Sequence, residues 1–156
     1  MIESGLQKKL KILLLGPNGQ LGKSLKNHLE AFHELECADK KKFDFLNPTN
    51  FLDILKKSKP SLVINAAAYT DVEGAESNEN LANQINSEAL KYIASACETL
   101  DLILLHFSTD YVFDGNKNTP YLEDDTPNPI STYGNSKLLG EKIISDNMKN
   151  YIIFRT

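Results

Sequence analysis

Short runs of almost wholly apolar residues alternate along this chain with longer segments in which apolar residues recur every three or four positions. The runs at Lys11–Gly16, Leu35–Asp39, Ser61–Ala66, Leu102–Phe107 and Tyr151–Arg155 predict five buried strands, because a strand covered on both faces has no solvent side to make polar. The periodic segments predict helices. Leu21, Leu25 and Leu29 fall on one face of a helix over Gln20–Phe32, and Leu81, Ile85, Ala89, Ile93 and Ala96 on one face of a longer helix from Leu81 to Leu100. Between these two, Asn47 predicts a cap and Pro48 a first helical position, with Phe51, Leu52 and Leu55 facing the core until Pro60. A loop over Asp110–Pro129, punctuated by Gly115, Pro120, Pro127 and Pro129, leads to a last helix from Tyr133 to about Met148. Such unbroken alternation predicts an α/β fold, a Rossmann-like doubly wound parallel sheet of five strands with helices on both faces.

Composition narrows the class. A chain of 156 residues, 41% hydrophobic, builds one core and is short for two, so a single domain over 11–156 is expected behind a polar, aperiodic leader over 1–10. The formal charge of −4 is spread along the chain without a basic stripe, so nucleic acid is not an expected partner. Ile12–Leu15 is far too short for a spanning helix or a signal core, and the expectation is a cytoplasmic protein that does not engage a membrane. Cys37 and Cys97 lack metal-ligand or redox spacing and read as small core residues, and no metal site is expected. Internal repeats and low-complexity segments are absent, and Lys40–Lys42 is the one charge run.

Candidate chemistry sits where predicted strands end. Gly16-Pro17-Asn18-Gly19-Gln20-Leu21-Gly22 joins the first strand to the first helix, the context in which backbone N–H groups approach a pyrophosphate. Asp39 closes the second strand about twenty residues later, a spacing suited to a carboxylate on the ribose hydroxyls. The lysines that follow it would favour a 2′-phosphate, so NAD and NADP both stay open. Asn65-Ala66-Ala67-Ala68-Tyr69-Thr70 ends the third strand in small residues that allow close backbone approach. Ser108-Thr109-Asp110 ends the fourth at the same edge. Beyond it, Tyr133 and Lys137 stand at i and i+4 on one helix face. A lysine ammonium there would lower the tyrosine pKa from its ordinary value of roughly 10 and make the phenol a proton donor, with Thr109 bonding the same substrate oxygen. The spacing alone also suits a helix-face pair without chemistry; convergence of the strand ends favours the site. Asp110 and Asp114 lie in a polar loop and read as solvated carboxylates rather than an acid/base or metal pair, and His106 reads as a satisfied core histidine.

Four segments together resemble the extended short-chain dehydrogenases/reductases, and within them the dTDP-4-dehydrorhamnose reductase group. They are Gly16–Gly22, Asn65–Glu73 with Ala75-Glu76, Ser108–Gly115, and Pro129 through Tyr133-Gly134-Asn135-Ser136-Lys137 to Glu141. The resemblance implies a catalytic triad of Thr109, Tyr133 and Lys137. It places Gly19, Gln20, Leu21, Asp39, Asp44, Phe45, Ala67, Ala68 and Tyr69 along NADP(H) or NAD(H), and Asp110 against the sugar. The implied reaction is reduction of a 4-keto group on a nucleoside-diphosphate 6-deoxy sugar. Dehydratases of the superfamily resemble this site but carry a second acid where Tyr111 follows Asp110, and epimerases lack the Thr109–Gly115 run. A further implication is a smaller C-terminal lobe after a strand such as Tyr151–Thr156, which makes 11–156 a cofactor half incomplete at that end. Its uncovered sheet edge would invite self-association as a homo-oligomer. The alternative from the same fold is a non-catalytic dinucleotide-binding module similar to the regulatory subunit of methionine adenosyltransferase.

Overall fold

A computed structural model describes residues 9–156, so most of the expected leader lies outside the described residues. Five strands, β1 (Lys11–Leu15), β2 (Glu34–Ala38), β3 (Leu62–Asn65), β4 (Ile103–Ser108) and β5 (Tyr151–Arg155), form one sheet in the order β2-β1-β3-β4-β5. Every pairing is parallel. The helices are α1 (Gln20–Leu29), α2 (Phe51–Ser58), α3 (Val72–Ser77), α4 (Glu79–Asn83), α5 (Ala89–Thr99) and α6 (Thr132–Asn147). Chain direction across the sheet reverses between β1 and β3, the point at which an open α/β sheet leaves a crevice at its carboxyl edge.

Leu10, assigned to the leader by its polar neighbours, belongs to the core instead. Its carbonyl accepts from Glu34 N–H and its side chain packs with Ile12, Leu25 and Leu35. The cap expected at Asn47 is also absent: its amide oxygen accepts from the Thr49 hydroxyl, and Pro48 opens a 3-10 turn over Pro48–Asn50 that leads into α2. Two further departures shape the site. The sequence pattern gives no sign of α3, a short helix capped by Asp71, whose carboxylate accepts from Gly74 N–H. The long helix expected from Leu81 is broken into α4 and α5 by one π turn over Gln84–Glu88.

The two faces of the sheet are covered unequally. On one, Leu13, Leu15, Val63 and Leu104 pack under α2, α5 and α6 through Phe51, Leu55, Leu90, Ile93, Cys97 and Ile144. On the other, among the described residues, α1 alone crosses, placing Leu25 and Leu29 over Ile12 and Leu14. Helices thus lie on both faces, as expected, and beside α1 the second face carries an open apolar groove of about 440 Å³ bordered by Leu62, Ile64, Leu105, Phe107 and Phe154. The cause is topological: α1 is the crossover on that side, and it spans β1 and β2 alone. The strand left at the open edge is β5, with Ile152 and Phe154 about half exposed.

Candidate active site

Strand register brings the carboxyl ends of the strands to one line. Leu15 pairs with Ala38 and Asn65, Asn65 with His106, and Ser108 with Arg155. Gly16, Asp39, Ala66 and Thr109 therefore leave the sheet at the same edge.

The glycine turn divides its work among three residues. Gly16 has φ +74°, and a Cβ there would lie 2.8 Å from Ala67, so the turn and the end of β3 touch directly. At Gly22 a Cβ would stand 2.0 Å from the Gly16 carbonyl oxygen, which lets α1 sit against the turn. A Cβ at Gly19 would meet the Gly16 carbonyl oxygen at an ordinary contact distance of 3.7 Å, and no side chain caps the N-terminus of α1. Uncapped N–H groups at a helix start are what an anionic pyrophosphate requires. Gly22→Ala should cost about 1–3 kcal/mol of stability through overpacking, read as a lower denaturant midpoint at an unchanged slope.

Gln20 and Leu21 lie exposed on the first turn of α1. Asp39 follows β2, and its carboxylate accepts from the backbone N–H of Lys41 and Lys42 at 3.0 and 3.2 Å. Lys42 turns away to pair with Glu36, leaving Lys40 and Lys41 exposed on the turn. Asp44 and Phe45 contact their own loop and the core: Asp44 accepts from Leu46 N–H, and Phe45 packs edge-on against Phe43. Ala67 donates its N–H to the Asn65 side chain at 3.1 Å. Past Ala68, Tyr69 is clamped by Asn86, whose amide accepts from its N–H at 2.8 Å and donates to its carbonyl at 3.0 Å.

Asn86 is a residue that sequence reasoning missed. It sits in the π turn and also donates to the Ser136 hydroxyl of α6 at 2.9 Å, so one buried amide ties the end of β3 to the Tyr133 helix. A helix interrupted at an otherwise regular apolar spacing leaves no pattern to find. Further support for α6 comes from Ser131, which caps it by accepting from Gly134 N–H, and from Glu76 of α3, which accepts from both the N–H and the hydroxyl of Thr132. Deeper in, Glu141 accepts from Ser108 of β4 and from Arg155 of β5, the Arg155 Nη2 contact being 2.7 Å. Arg155→Met should cost about 3 kcal/mol, because it strands a buried carboxylate. Coupling it with Glu141→Leu should recover most of that loss in a double-mutant cycle.

Thr109 hydrogen-bonds Tyr133, and Lys137 follows one turn later on α6, all three nearly excluded from solvent. Lys137 Nζ, however, donates to the Phe107 carbonyl at 2.6 Å and lies 3.3 Å from His106 Nε2. Burial pushes the lysine down to about 8, opposed by the charge of Glu141. The Tyr133 phenol is pushed up by burial, with a hydrogen bond to Thr109 opposing and the charges of Asp110 and Tyr111 adding to the rise. The expectation that Lys137 lowers the tyrosine is therefore not met: the lysine head is turned to β4, and burial governs both groups. Asp110 is exposed at the mouth and accepts from the Thr109 hydroxyl at 3.3 Å. Asp114 is structural, organising its loop by accepting from Asn116 N–H, Tyr121 and Asn128, bonds that hold it down to about 2. Among the described residues no three His, Cys, Asp or Glu side chains cluster as metal ligands, and no helix is long and apolar enough to cross a membrane.

A doubly wound parallel sheet, a glycine turn at its reversal point and a Tyr-x-x-x-Lys helix beside a strand-end threonine define an extended short-chain dehydrogenase/reductase domain. Residues 10–156 match the RmlD substrate binding domain family, and the chain belongs to it. It is 40% identical over 147 residues to the dTDP-4-dehydrorhamnose reductase of Burkholderia thailandensis, covering 94% of this chain and 49% of that one. Its likeness to the corresponding protein of Shigella flexneri is 39% over 151 residues, covering 94% and 50%. Among solved structures, the Bacillus anthracis dTDP-4-dehydrorhamnose reductase in complex with NADP superposes with a TM-score of 0.90 at 35% identity, covering 94% of this chain and 53% of that one. UDP-glucose 4-epimerase from Brucella ovis shares the fold at a TM-score of 0.84, with 19% identity. The chain spans about half the length of the curated relatives it matches.

Proposed function

We propose that this chain carries the cofactor site and catalytic triad of an NAD(P)H-dependent reductase acting on a nucleoside-diphosphate 4-keto-6-deoxy sugar, of the dTDP-4-dehydrorhamnose type. The observation that carries the reading is the Thr109–Tyr133 hydrogen bond, with Lys137 one turn further along α6, at the sheet edge that also holds the glycine turn. The tight glycine turn and the uncapped start of α1 suit a dinucleotide pyrophosphate, with Gly16, Gly19, Gln20, Leu21 and Gly22 shaping that turn. Asp39 would take the adenosine ribose, and the backbone of Ala67, Ala68 and Tyr69 would line the path toward Tyr133. A relative of known structure binds NADP, which supports NADP(H), while the Asp39 carboxylate equally suits NAD(H).

A bound nicotinamide supplies the hydride. The protein's part is to hold the substrate carbonyl and give it a proton: Thr109 donates a hydrogen bond to the oxygen, and Tyr133, kept protonated by its burial, delivers its phenolic proton as negative charge develops there. Asp110, exposed at the mouth, would meet a sugar hydroxyl. The retained triad supports a catalyst over a purely regulatory module.

Two measurements test this reading. Titration with NADPH and NADH reads binding by this chain, and oxidation of each in the presence of a dTDP-4-keto-6-deoxy sugar reads turnover by the whole product of the reading frame. Binding with no oxidation by the whole product would move the assignment to the regulatory alternative. Absence of any dinucleotide binding would remove both.

A further inference from the structure

Where β2 leaves the sheet, two carboxylates stand within reach of one lysine. Asp39 builds the turn that follows the strand. Its Oδ1 accepts from the backbone N–H of Lys41 at 3.0 Å and of Lys42 at 3.2 Å, and its carbonyl accepts from the N–H of Lys42 and Phe43 at 3.0 and 2.9 Å. These bonds fix the Lys42 backbone beside the carboxylate while using one of its oxygens, so Oδ2 keeps its lone pairs for a ligand hydroxyl. The Lys42 side chain nevertheless runs back along the strand, and its ammonium donates to Oε1 of Glu36, three residues before Asp39. Glu36 is fixed in turn: Ser58, at the end of α2, donates to its Oε2, and Lys11 Nζ approaches the same oxygen to 3.8 Å. Burial raises the Glu36 carboxyl, but the bonds from Lys42 and Ser58 and the charges of Lys42 and Lys11 together hold it below its ordinary value. Strand residues rise about 3.3 Å each, so Glu36 lies about 10 Å behind Asp39, beyond the Debye length of about 8 Å at physiological salt. An ammonium neutralised there contributes little to a charge bound at Asp39.

We propose that Glu36 is a specificity-determining residue: by drawing the Lys42 ammonium away from Asp39, it leaves that carboxylate unopposed at the ribose position and disfavours a dinucleotide bearing a 2′-phosphate. The inference rests on the reading of the glycine turn and Asp39 as a dinucleotide site. A ribose diol donates its hydroxyls to a carboxylate, whereas a 2′-phosphate meets the carboxylate as a like charge and needs a cation in contact. Lys42 is the lysine whose N–H meets both the carboxylate and the carbonyl of Asp39, and its charge is the one withdrawn. Lys40 and Lys41 stay exposed on the turn, so NADPH binding is retained and Glu36 sets its ratio to NADH.

Titration of this chain with NADPH and with NADH, read as binding alone, tests the proposal without a sugar substrate. Glu36→Gln keeps an acceptor for Ser58 and the shape of β2 but releases the lysine, and should raise the NADPH-to-NADH affinity ratio by about threefold to tenfold, as one charge-assisted contact to a solvent-screened phosphate would. Lys42→Met should leave the ratio within about twofold of the unaltered chain, because its ammonium is already withdrawn. Adding Lys42→Met to Glu36→Gln should bring the raised ratio back down. In the free protein, 13C NMR should show the Glu36 carboxyl titrating at a higher pH in Lys42→Met than in the unaltered chain. An unchanged ratio in Glu36→Gln overturns the proposal and leaves the dinucleotide site standing, as does a raised ratio that survives in the double variant or a Glu36 titration that does not move. Failure of the unaltered chain to bind either dinucleotide removes both.

Discussion

Tyr133→Phe should lower reduction of the 4-keto sugar by about 10²–10⁴-fold, the usual worth of a general acid, and leave NADPH affinity within about threefold. The asymmetry follows from geometry. Only the hydroxyl is removed, while the ring keeps its place against Tyr111 at 5.7 Å and its packing with Tyr69, Ala75 and Ala82. A cofactor affinity that fell as far as turnover would show that Tyr133 holds the dinucleotide rather than protonating the substrate. Stability should fall by only about 1 kcal/mol, the usual net worth of one neutral hydrogen bond, here the one to Thr109.

Lys137→Met should do the opposite to stability. The lysine ammonium ordinarily loses its proton at 10.5 and here does so at about 8. Between those values the unfolded chain holds a proton that the folded chain has released, so stability rises with pH across that window, by up to about 3 kcal/mol. Below pH 8 the cost of the buried cation is present in full. Methionine carries no such cost but leaves the Phe107 carbonyl without a donor, so the net gain at neutral pH should be about 2 kcal/mol. Denaturant unfolding of both proteins at pH 7 and near pH 10 checks the sign: the variant should be the more stable at pH 7, and the gap should close as pH rises. Activity should fall at least as far as in Tyr133→Phe. A variant that is less stable at pH 7 would mean that Lys137 is held as a stabilised cation.

Elements with a strong local signature were legible in the sequence. Each of the five strands lies within a residue or so of its apolar run, and β5 coincides with Tyr151–Arg155. Gly16 and Gly22 could be read because the turn requires glycine at close approaches, and Tyr133 with Lys137 because i and i+4 share a face in any helix. Elements held by long-range bonds were not legible. Helix α3 is six residues long, too short to show a repeating apolar face, and it is sustained by its Asp71 cap and by Glu76 reaching Thr132 of α6. Asn86 turns inward from the π turn because Tyr69 and Ser136 offer partners that are far away in the chain. His106 was read as a satisfied core residue; its partners, Asn65 and Lys137, come from a neighbouring strand and a helix that no local pattern connects.

The sequence by itself determined the class of fold and marked the strand ends and the helix-face pair from which the proposed site is built, since periodicity, glycine placement and helix-face spacing are properties of a few consecutive residues. Tertiary structure alone decided the strand order, the face that α1 leaves open, the direction in which burial moves Tyr133 and Lys137, and the partners of His106. Those depend on which distant groups exclude water from a side chain and which end of a neighbour's dipole it meets, and both quantities exist only once the chain has folded.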